Sequence, residues 1–337
     1  MAAAMIPNTP WVRTVQQFDD EAIASLAVRL APMGRIDTDT LLRLHLDMRG
    51  QSVSTIATKP NAIAELAALG SFDPERLSMG AWENFKDRTE FLGREFPVGW
   101  FVPERRRVAP ARLAADGENA RIRNVWLVAA MPCDVETGEV LLDRCPACLN
   151  LLGWTNLRTV WTCQACDFDL RFAAPRLCPP ETFAAAKELA SFIFDRGVRL
   201  PPPLDELPSL DLLKLCSWLA HVRMLPAELF LGITAKNAPA GFAQVKRWPH
   251  SFDETVFDLL GASTGDDLIE GNVIWSKAAG GLLATIDRLS SAKAREVVRS
   301  RLAALLGLPP GFTEALRDVT EPRIPLGISI TGLDRRR

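Results

Sequence analysis

The sequence lacks the features that would place the protein in a membrane or direct its export. It contains no run of about 18 consecutive apolar residues, so no membrane-spanning helix is expected. Met1–Pro10 shows no basic segment followed by a sustained apolar run, so no signal peptide is expected either. These absences predict a cytoplasmic protein in a reducing compartment, without a membrane partner.

An excess of one charge is also missing. The chain has 39 basic and 41 acidic residues, which gives a net charge of −2. It is therefore no polycation, and any contact with nucleic acid must come from a local basic patch. With 48% hydrophobic and 24% charged residues, the 337-residue chain has the composition of a globular protein of two or three compact units.

Signals for catalysis are scarce. His45, His221 and His250 are scattered and have no partner cysteine nearby in sequence, so no Cys/His or Ser/His/Asp arrangement is indicated. The segment Gly261–Gly265 lacks the Gly-Lys-Ser/Thr ending of a phosphate-binding loop and is interpreted as a turn. We therefore predict that the protein is not an enzyme. The remaining alternative is a carboxylate site hidden in the helical C-terminal half.

Cysteine, by contrast, is present in a regular pattern. Cys145 and Cys148 form one Cys-x-x-Cys pair, Cys163 and Cys166 form a second, and 14 residues separate the pairs. This spacing is typical of one structural Zn²⁺ site, and it fits an iron–sulfur cluster less well. Two disulfides would need an oxidising compartment. Four thiolates leave no open position for water, so the predicted site is structural and not catalytic.

Hydrophobic periodicity predicts a mainly α-helical multi-domain protein with a small four-cysteine β zinc ribbon in the middle. The expected domains are an N-terminal helical domain over 1–90, an arginine-rich connector with the zinc ribbon over 91–175, and a C-terminal helical domain over 176–337. The short N-terminal helices are compatible with a helix-turn-helix-like unit or a plain bundle. The bundle is favoured because no helix shows an obvious base-reading polar face.

The individual elements follow from apolar spacing and from Pro and Gly positions. Phe85–Arg123 is expected to be largely loop, Asn124–Met131 a buried strand, and Phe168–Phe172 the third strand of the ribbon. A Ser251/Glu254 capping box should begin one C-terminal helix. The predicted helices are Glu21–Ala31, Thr40–Arg49 (capped by Thr38 or Asp39), Asn61–Leu69, Thr182–Phe194, a helix through Leu210–Leu219, Phe252–Leu260 and Ala292–Leu306.

Several arginines precede or flank the start of the ribbon. They are candidate phosphate contacts for a nucleic-acid surface next to the metal site. The alternative is a solvated connector whose arginines simply lie at the surface. The candidate residues are Arg105, Arg106, Arg107, Arg112, Arg121 and Arg123.

One stretch resembles a known family. Trp126 to Cys133 reads Trp-Leu-Val-Ala-Ala-Met-Pro-Cys, and the two cysteine pairs follow it with Leu152-Gly-Trp154 between them. Near the start, Glu21 precedes a Leu/Ala-rich helix that contains Arg29. Together these patterns are similar to the TniQ family, accessory proteins of DNA transposons.

The resemblance implies a non-catalytic, zinc-stabilised adaptor in DNA transposition and recombination that helps recruit the machinery to a target site. It implies DNA and transposition proteins as partners, such as an ATPase regulator or a targeting complex, and a homodimer is also compatible with it. From the residues alone, a stand-alone zinc-ribbon transcriptional regulator that binds DNA is the alternative.

The chain departs from the family pattern at an earlier zinc finger. The family usually carries a further Cys-x-x-Cys pair completed by a Cys-x-x-His-like pair. Here residues 113–123 contain no cysteine, and Glu136 stands where the histidine is expected after Cys133. We therefore predict one intact metal site and one degenerate site.

Overall fold

The computed structural model describes residues 10–194, 197–222, 237–261 and 286–305. The chain divides into two compact units, Met1–Arg196 and Gly197–Arg337. Helices predominate, and the described residues contain one small antiparallel sheet and one cysteine cluster, in agreement with the predicted mainly helical class. The predicted domains 1–90 and 91–175 both fall within the first unit, and the three-domain division remains a prediction.

A fully buried helix lies in the core of the first unit. Helix α1, Ile23–Leu30, has every residue buried, because apolar side chains surround its axis almost completely. The predicted helix Glu21–Ala31 is confirmed, with ends that differ by one or two residues. A 3₁₀ turn continues the chain over Ala31–Gly34, and Arg35 ends it with a left-handed φ of 59°.

Short helices follow α1, as predicted, but the second is shorter than expected. Its cap is Asp37, whose carboxylate accepts the Thr40 backbone N–H at 2.6 Å, so the prediction of Thr38 or Asp39 is wrong. A prolyl residue begins each of the α-helices α3 and α4, where its missing N–H is not needed. The elements are α2 Thr38–Thr40, a π turn Leu41–His45, a 3₁₀ helix Val53–Thr58, α3 Pro60–Gly70 and α4 Pro74–Ser78.

A three-stranded antiparallel sheet occupies part of the region expected to be loop. Its strands are β1 Trp82–Asn84, β2 Arg88–Phe91 and β3 Arg94–Pro97, paired in sequence order. Leu92 and Gly93 join β2 to β3 with φ values of 53° and 69°, the positive angles that a tight two-residue hairpin needs. The loop prediction is wrong here because strands of three or four residues are too short to show a clear period.

Helix α5, Pro110–Asp116, begins against a carboxylate from a distant part of the chain. Buried Glu139 accepts the backbone N–H groups of Ala111 at 2.9 Å and Arg112 at 3.2 Å. A carboxylate at a helix N-terminus satisfies free N–H groups and complements the helix dipole.

The strand predicted over Asn124–Met131 is wrong. Asn124–Leu127 forms a 3₁₀ helix instead, although Trp126 and Leu127 are buried as expected. A short apolar run indicates burial but does not by itself distinguish a strand from a helical turn.

The remaining predicted helices are largely confirmed. Helix α6, Pro180–Ile193, ends the described part of the first unit, and the second unit contains α7 Ser209–Val222, α8 Ala238–Val245, α9 His250–Gly261 and α10 Ala292–Leu305. The Ser251/Glu254 capping box is wrong, because α9 already begins at His250 and the Ser251 hydroxyl donates to the Gln244 carbonyl. Residues 262–265 of the predicted glycine-flanked turn lie outside the described residues.

No helix in the part of the chain that the structure describes is long and apolar enough to cross a membrane.

Candidate metal centre

The two cysteine pairs fold into two equivalent turns, here called knuckle 1 (residues 145–150) and knuckle 2 (residues 163–168). In knuckle 1 the Cys145 N–H donates to the Asn150 carbonyl at 2.9 Å, and in knuckle 2 the Cys163 N–H donates to the Phe168 carbonyl at 2.9 Å. The residue after each second cysteine is left-handed, with φ of 62° at Leu149 and 56° at Asp167. These turns bring the sulfurs of each pair together, as the spacing predicts.

The four sulfurs converge on one point. All four Sγ atoms lie within 4.8 Å of one another. The Cys145–Cys166 and Cys148–Cys163 Sγ distances are both 3.7 Å. A tetrahedral ion with bonds of about 2.3 Å to sulfur requires a separation of about 3.8 Å, whereas a disulfide requires about 2.0 Å. The cluster therefore has the size of a four-thiolate metal site.

The four thiols differ in burial and in acidity, and burial raises the pKa of the Cys145 thiol. Cys145 and Cys163 are buried, whereas Cys148 and Cys166 lie toward solvent. A hydrogen bond from the Asn150 backbone N–H lowers the pKa of the Cys148 thiol to about 7. This thiol is therefore partly ionised near neutral pH, and the thiolate is the form that binds metal.

Very little sheet supports the two knuckles. Isolated bridges join Arg144 to Leu151 and Thr162 to Asp169. The predicted third strand is wrong, since Leu170–Phe172 is a 3₁₀ turn. So few backbone pairs supply little stability, and a bound metal would contribute much of the order in this region.

The Arg106 side chain holds the two knuckle segments together from inside the protein. Arg106 is 0% exposed. The guanidinium donates to the carbonyls of Gly153 at 2.6 Å, Val160 at 2.8 Å and Thr162 at 2.8 Å, and to Gln164 Oε1 at 3.1 Å. Gly153 follows knuckle 1, and the other three acceptors lie before or within knuckle 2, so one side chain bridges both segments.

Burial lowers the pKa of Arg106 to about 10, and the charges of Cys163 and Cys145 oppose this shift. Arg106 therefore remains a cation at neutral pH, close to the sulfurs.

The next residue performs a similar task in a different direction. Arg107 donates to the backbone carbonyls of Val128 at 2.8 Å, Trp126 at 3.4 Å and Met131. Burial lowers the pKa of Arg107 to about 10, with the charge of Asp143 opposing. Two consecutive arginines thus connect the metal region with the segment 126–131.

The other predicted arginines form ion pairs. Arg121 pairs with Asp20 at 2.8 Å, and buried Arg123 pairs with Asp116 at 2.8 Å. Arg112 pairs with Glu136 at 2.6 Å. These contacts assign structural roles to the three arginines.

Arg105 differs from the other five candidates because its side chain is exposed. The structure therefore does not gather the six candidates into one exposed basic patch. Their contact with nucleic acid remains a prediction, and Arg105 is the candidate best placed for it.

Around the predicted degenerate site, Trp126, Cys133 and Asp134 are buried, whereas Glu136 is exposed. The Trp126 Nε1–H donates to Asp134 Oδ2 at 2.8 Å, and both residues are buried. Burial raises the pKa of the Cys133 thiol to about 12, with a further contribution from Cys178. Glu136, which stands at the position expected for histidine, makes the ion pair with Arg112.

A buried ion pair lies at the start of the opening helix. Glu21 Oε2 accepts from Arg29 at 2.6 Å, and Glu21 Oε1 accepts from the Ser25 hydroxyl at 2.7 Å. The Ser25 hydroxyl in turn accepts the Ile122 backbone N–H at 3.0 Å. Glu21 and Arg29, which characterise this helix in the sequence, therefore pair with each other.

The sequence did not predict that the Arg106 side chain bridges the two knuckle segments or that Glu139 caps helix α5. One signal was present: Arg106-Arg107 is followed directly by the apolar sequence Val108-Ala109-Pro110. Such a context is more typical of a chain entering a core than of a solvated basic patch.

Fold and site together define a mainly helical protein with a four-cysteine centre that could hold a metal ion. The TniQ family model matches residues 12–137, which include α1, the sheet, α5 and the Trp126–Asp134 contact. The chain is therefore similar to the TniQ family over 126 of its 337 residues. The match ends before Cys145, so the cysteine cluster lies outside it. No curated protein matches the chain.

Proposed function

We propose that the protein is a non-catalytic, zinc-stabilised adaptor that helps recruit the transposition machinery to target DNA. The observation that carries this proposal is the connection between the TniQ region and the cysteine cluster within one compact unit. Arg106 and Arg107, which lie inside the matched residues, bind the knuckle segments and the segment 126–131. The metal would stabilise this region, while partners perform the chemistry.

Zn²⁺ is the proposed ion. Cysteine thiolates in a closed set of four are its usual structural ligands, and the 3.7 Å sulfur separations suit its bond length. Cys145, Cys148, Cys163 and Cys166 would each supply one thiolate.

The first experiment measures zinc content and partner capture together. The purified full chain should contain about one Zn²⁺, and it should retain the transposition ATPase on a pull-down. Cys145→Ala/Cys148→Ala should lose both zinc and the partner, because the ligand pair is gone. Cys178→Ala, outside the quartet, is the matched control and should keep both. A zinc-loaded chain that captures no transposition protein would contradict the adaptor role.

A second experiment tests direct DNA contact through Arg105. Arg105→Glu should weaken binding to duplex DNA and reduce the salt dependence by about one phosphate contact. Arg158→Glu, an exposed arginine in the loop between the knuckles, is the matched control. Equal binding by the parent and Arg105→Glu would remove this residue from the interface. Strong DNA binding without capture of transposition partners would favour the transcriptional regulator instead.

A further inference from the structure

The Arg106 guanidinium is a buried cation that has no carboxylate partner among the described residues. All of its acceptors are neutral, namely three backbone carbonyls and the Gln164 side-chain amide. Within the described ranges, the ion pairs use other arginines and none includes Arg106. Hydrogen bonds to carbonyls satisfy the N–H groups, but they do not balance the charge.

The negative charges that act on Arg106 are those of Cys163 and Cys145, in the cysteine cluster. Four thiolates around one divalent cation carry a net charge of −2, because four negative charges exceed two positive ones. Two acceptors of Arg106 flank Cys163 directly: Thr162 precedes it and Gln164 follows it. The guanidinium is therefore fixed beside one of the buried ligands, where little water screens the attraction.

We propose that Arg106 is the built-in counter-cation of the metal centre. When four neutral thiols release their four protons and bind one divalent ion, the site changes from neutral to a net charge of −2, and the Arg106 charge favours this exchange and so raises the affinity of the site for the ion. This inference rests on the metal site of the proposed function and adds a residue that sets its affinity. It also explains why a cation is buried here. The negative metal-loaded centre and the positive Arg106 side chain compensate each other, whereas either charge alone would be buried without compensation.

The test compares variants of the full chain by competition between the protein and a chromophoric chelator for Zn²⁺, and again for Cd²⁺, which has the same charge. Arg106→Gln removes the charge and should weaken the binding of both ions at least about tenfold, the usual effect of losing a group that supports metal ligands. Arg106→Lys keeps the charge and should retain most of the affinity. Arg158→Gln, at an exposed arginine between the knuckles, should match the parent.

A second variant leaves the buried Arg106 side chain in place. Gln164→Glu places a carboxylate at the position that accepts from Arg106 at 3.1 Å, so it supplies a competing counter-anion on a partly exposed side chain. We expect zinc binding about threefold or more weaker than in the parent, whereas the uncharged Gln164→Met should change it less.

Three outcomes would overturn the inference. Arg106→Gln could bind zinc as tightly as the parent, or Arg106→Lys could lose as much affinity as Arg106→Gln, which would assign the effect to hydrogen bonds. Unchanged affinity in Gln164→Glu would also contradict it. A parent chain that binds no metal would instead refute the proposed zinc site, so the two failures are distinguishable.

Discussion

Charged side chains in the first unit are buried with different kinds of partner. Glu21 and Arg29 face each other as a hydrogen-bonded ion pair, whereas Arg106 and Arg107 are surrounded by backbone carbonyls. Buried ions tolerate the loss of water only when every polar atom finds a partner. These residues therefore make the interior of the unit sensitive to pH and to single substitutions.

Glu21 should make the stability of the protein depend on pH. Burial raises the pKa of Glu21 from 4.5 to about 7, although Arg29 and Ser25 oppose the shift. The folded pKa lies above the unfolded one, so the protonated Glu21 carboxyl favours the folded state. Its contribution to stability is complete below about pH 4.5 and is lost as pH rises through 7. The free energy of unfolding should fall by about 3 kcal/mol across this window.

Chemical denaturation at several pH values between 4.5 and 8 measures this effect. Glu21→Gln, which cannot ionise, should lose the decline that the parent shows, and the difference between the two chains removes the contribution of metal binding. Parallel pH profiles for the parent and the variant would contradict the assignment to Glu21.

Leu149 should accept glycine with a gain in stability. Its φ of 62° is costly for a residue with a Cβ, and its side chain is 69% exposed, so little burial is lost. Leu149→Gly should raise the free energy of unfolding of the metal-loaded protein by about 0.5 kcal/mol, after the flexibility cost of glycine. Leu177→Gly, equally exposed but without a positive φ, should lower it. A destabilised Leu149→Gly variant would show that the side chain has another role.

At the scale of elements, close backbone approach organises the second unit. Helices α7 and α8 approach each other so closely that a Cβ built on Gly241 would lie 1.7 Å from the Cys216 carbonyl oxygen. Backbone atoms cannot move aside as a flexible side chain can, so only glycine fits at this crossing. Glycine has a lower helix propensity than alanine, but this loss is smaller than the cost of the clash that a Cβ would make.

Gly241→Ala should therefore destabilise the second unit by about 3 kcal/mol, in spite of the better helix propensity of alanine. Thermal unfolding followed by circular dichroism measures the loss. Ala240→Ser, one position earlier and exposed, should change stability by less than about 1 kcal/mol. Similar melting of Gly241→Ala and the parent would show that α7 and α8 can separate at little cost.

At the scale of the whole molecule, the contacts of Arg106 and Arg107 predict which segments become less stable when the metal is removed. Removing the metal with a chelator should accelerate amide hydrogen exchange in both knuckles and in residues 124–131, because Arg106 and Arg107 connect these segments. Exchange in α7 and α8 should stay unchanged, because they belong to a different compact unit. Exchange that rises only within the knuckles would mean that the arginines do not transmit the change.

Local sequence patterns predicted the parts of this protein that depend on neighbours in the chain. The spacing of Cys145, Cys148, Cys163 and Cys166 predicted their convergence, since a tight turn fixes residues i and i+3. The apolar run at α1 predicted a buried helix. The tight hairpin at Leu92-Gly93 was missed because its strands are too short for alternation to be recognised.

What the sequence by itself determined is the helical class, the cysteine cluster and the resemblance of its first part to the TniQ family. Only the tertiary structure decided which arginines are internal, because Arg106 meets its acceptors 47 to 58 residues away along the chain. The charge of a side chain is a property of the residue. Its partners depend on which distant backbone segments pack around it, and the apolar residues that follow Arg106 and Arg107 in the sequence do not specify those segments.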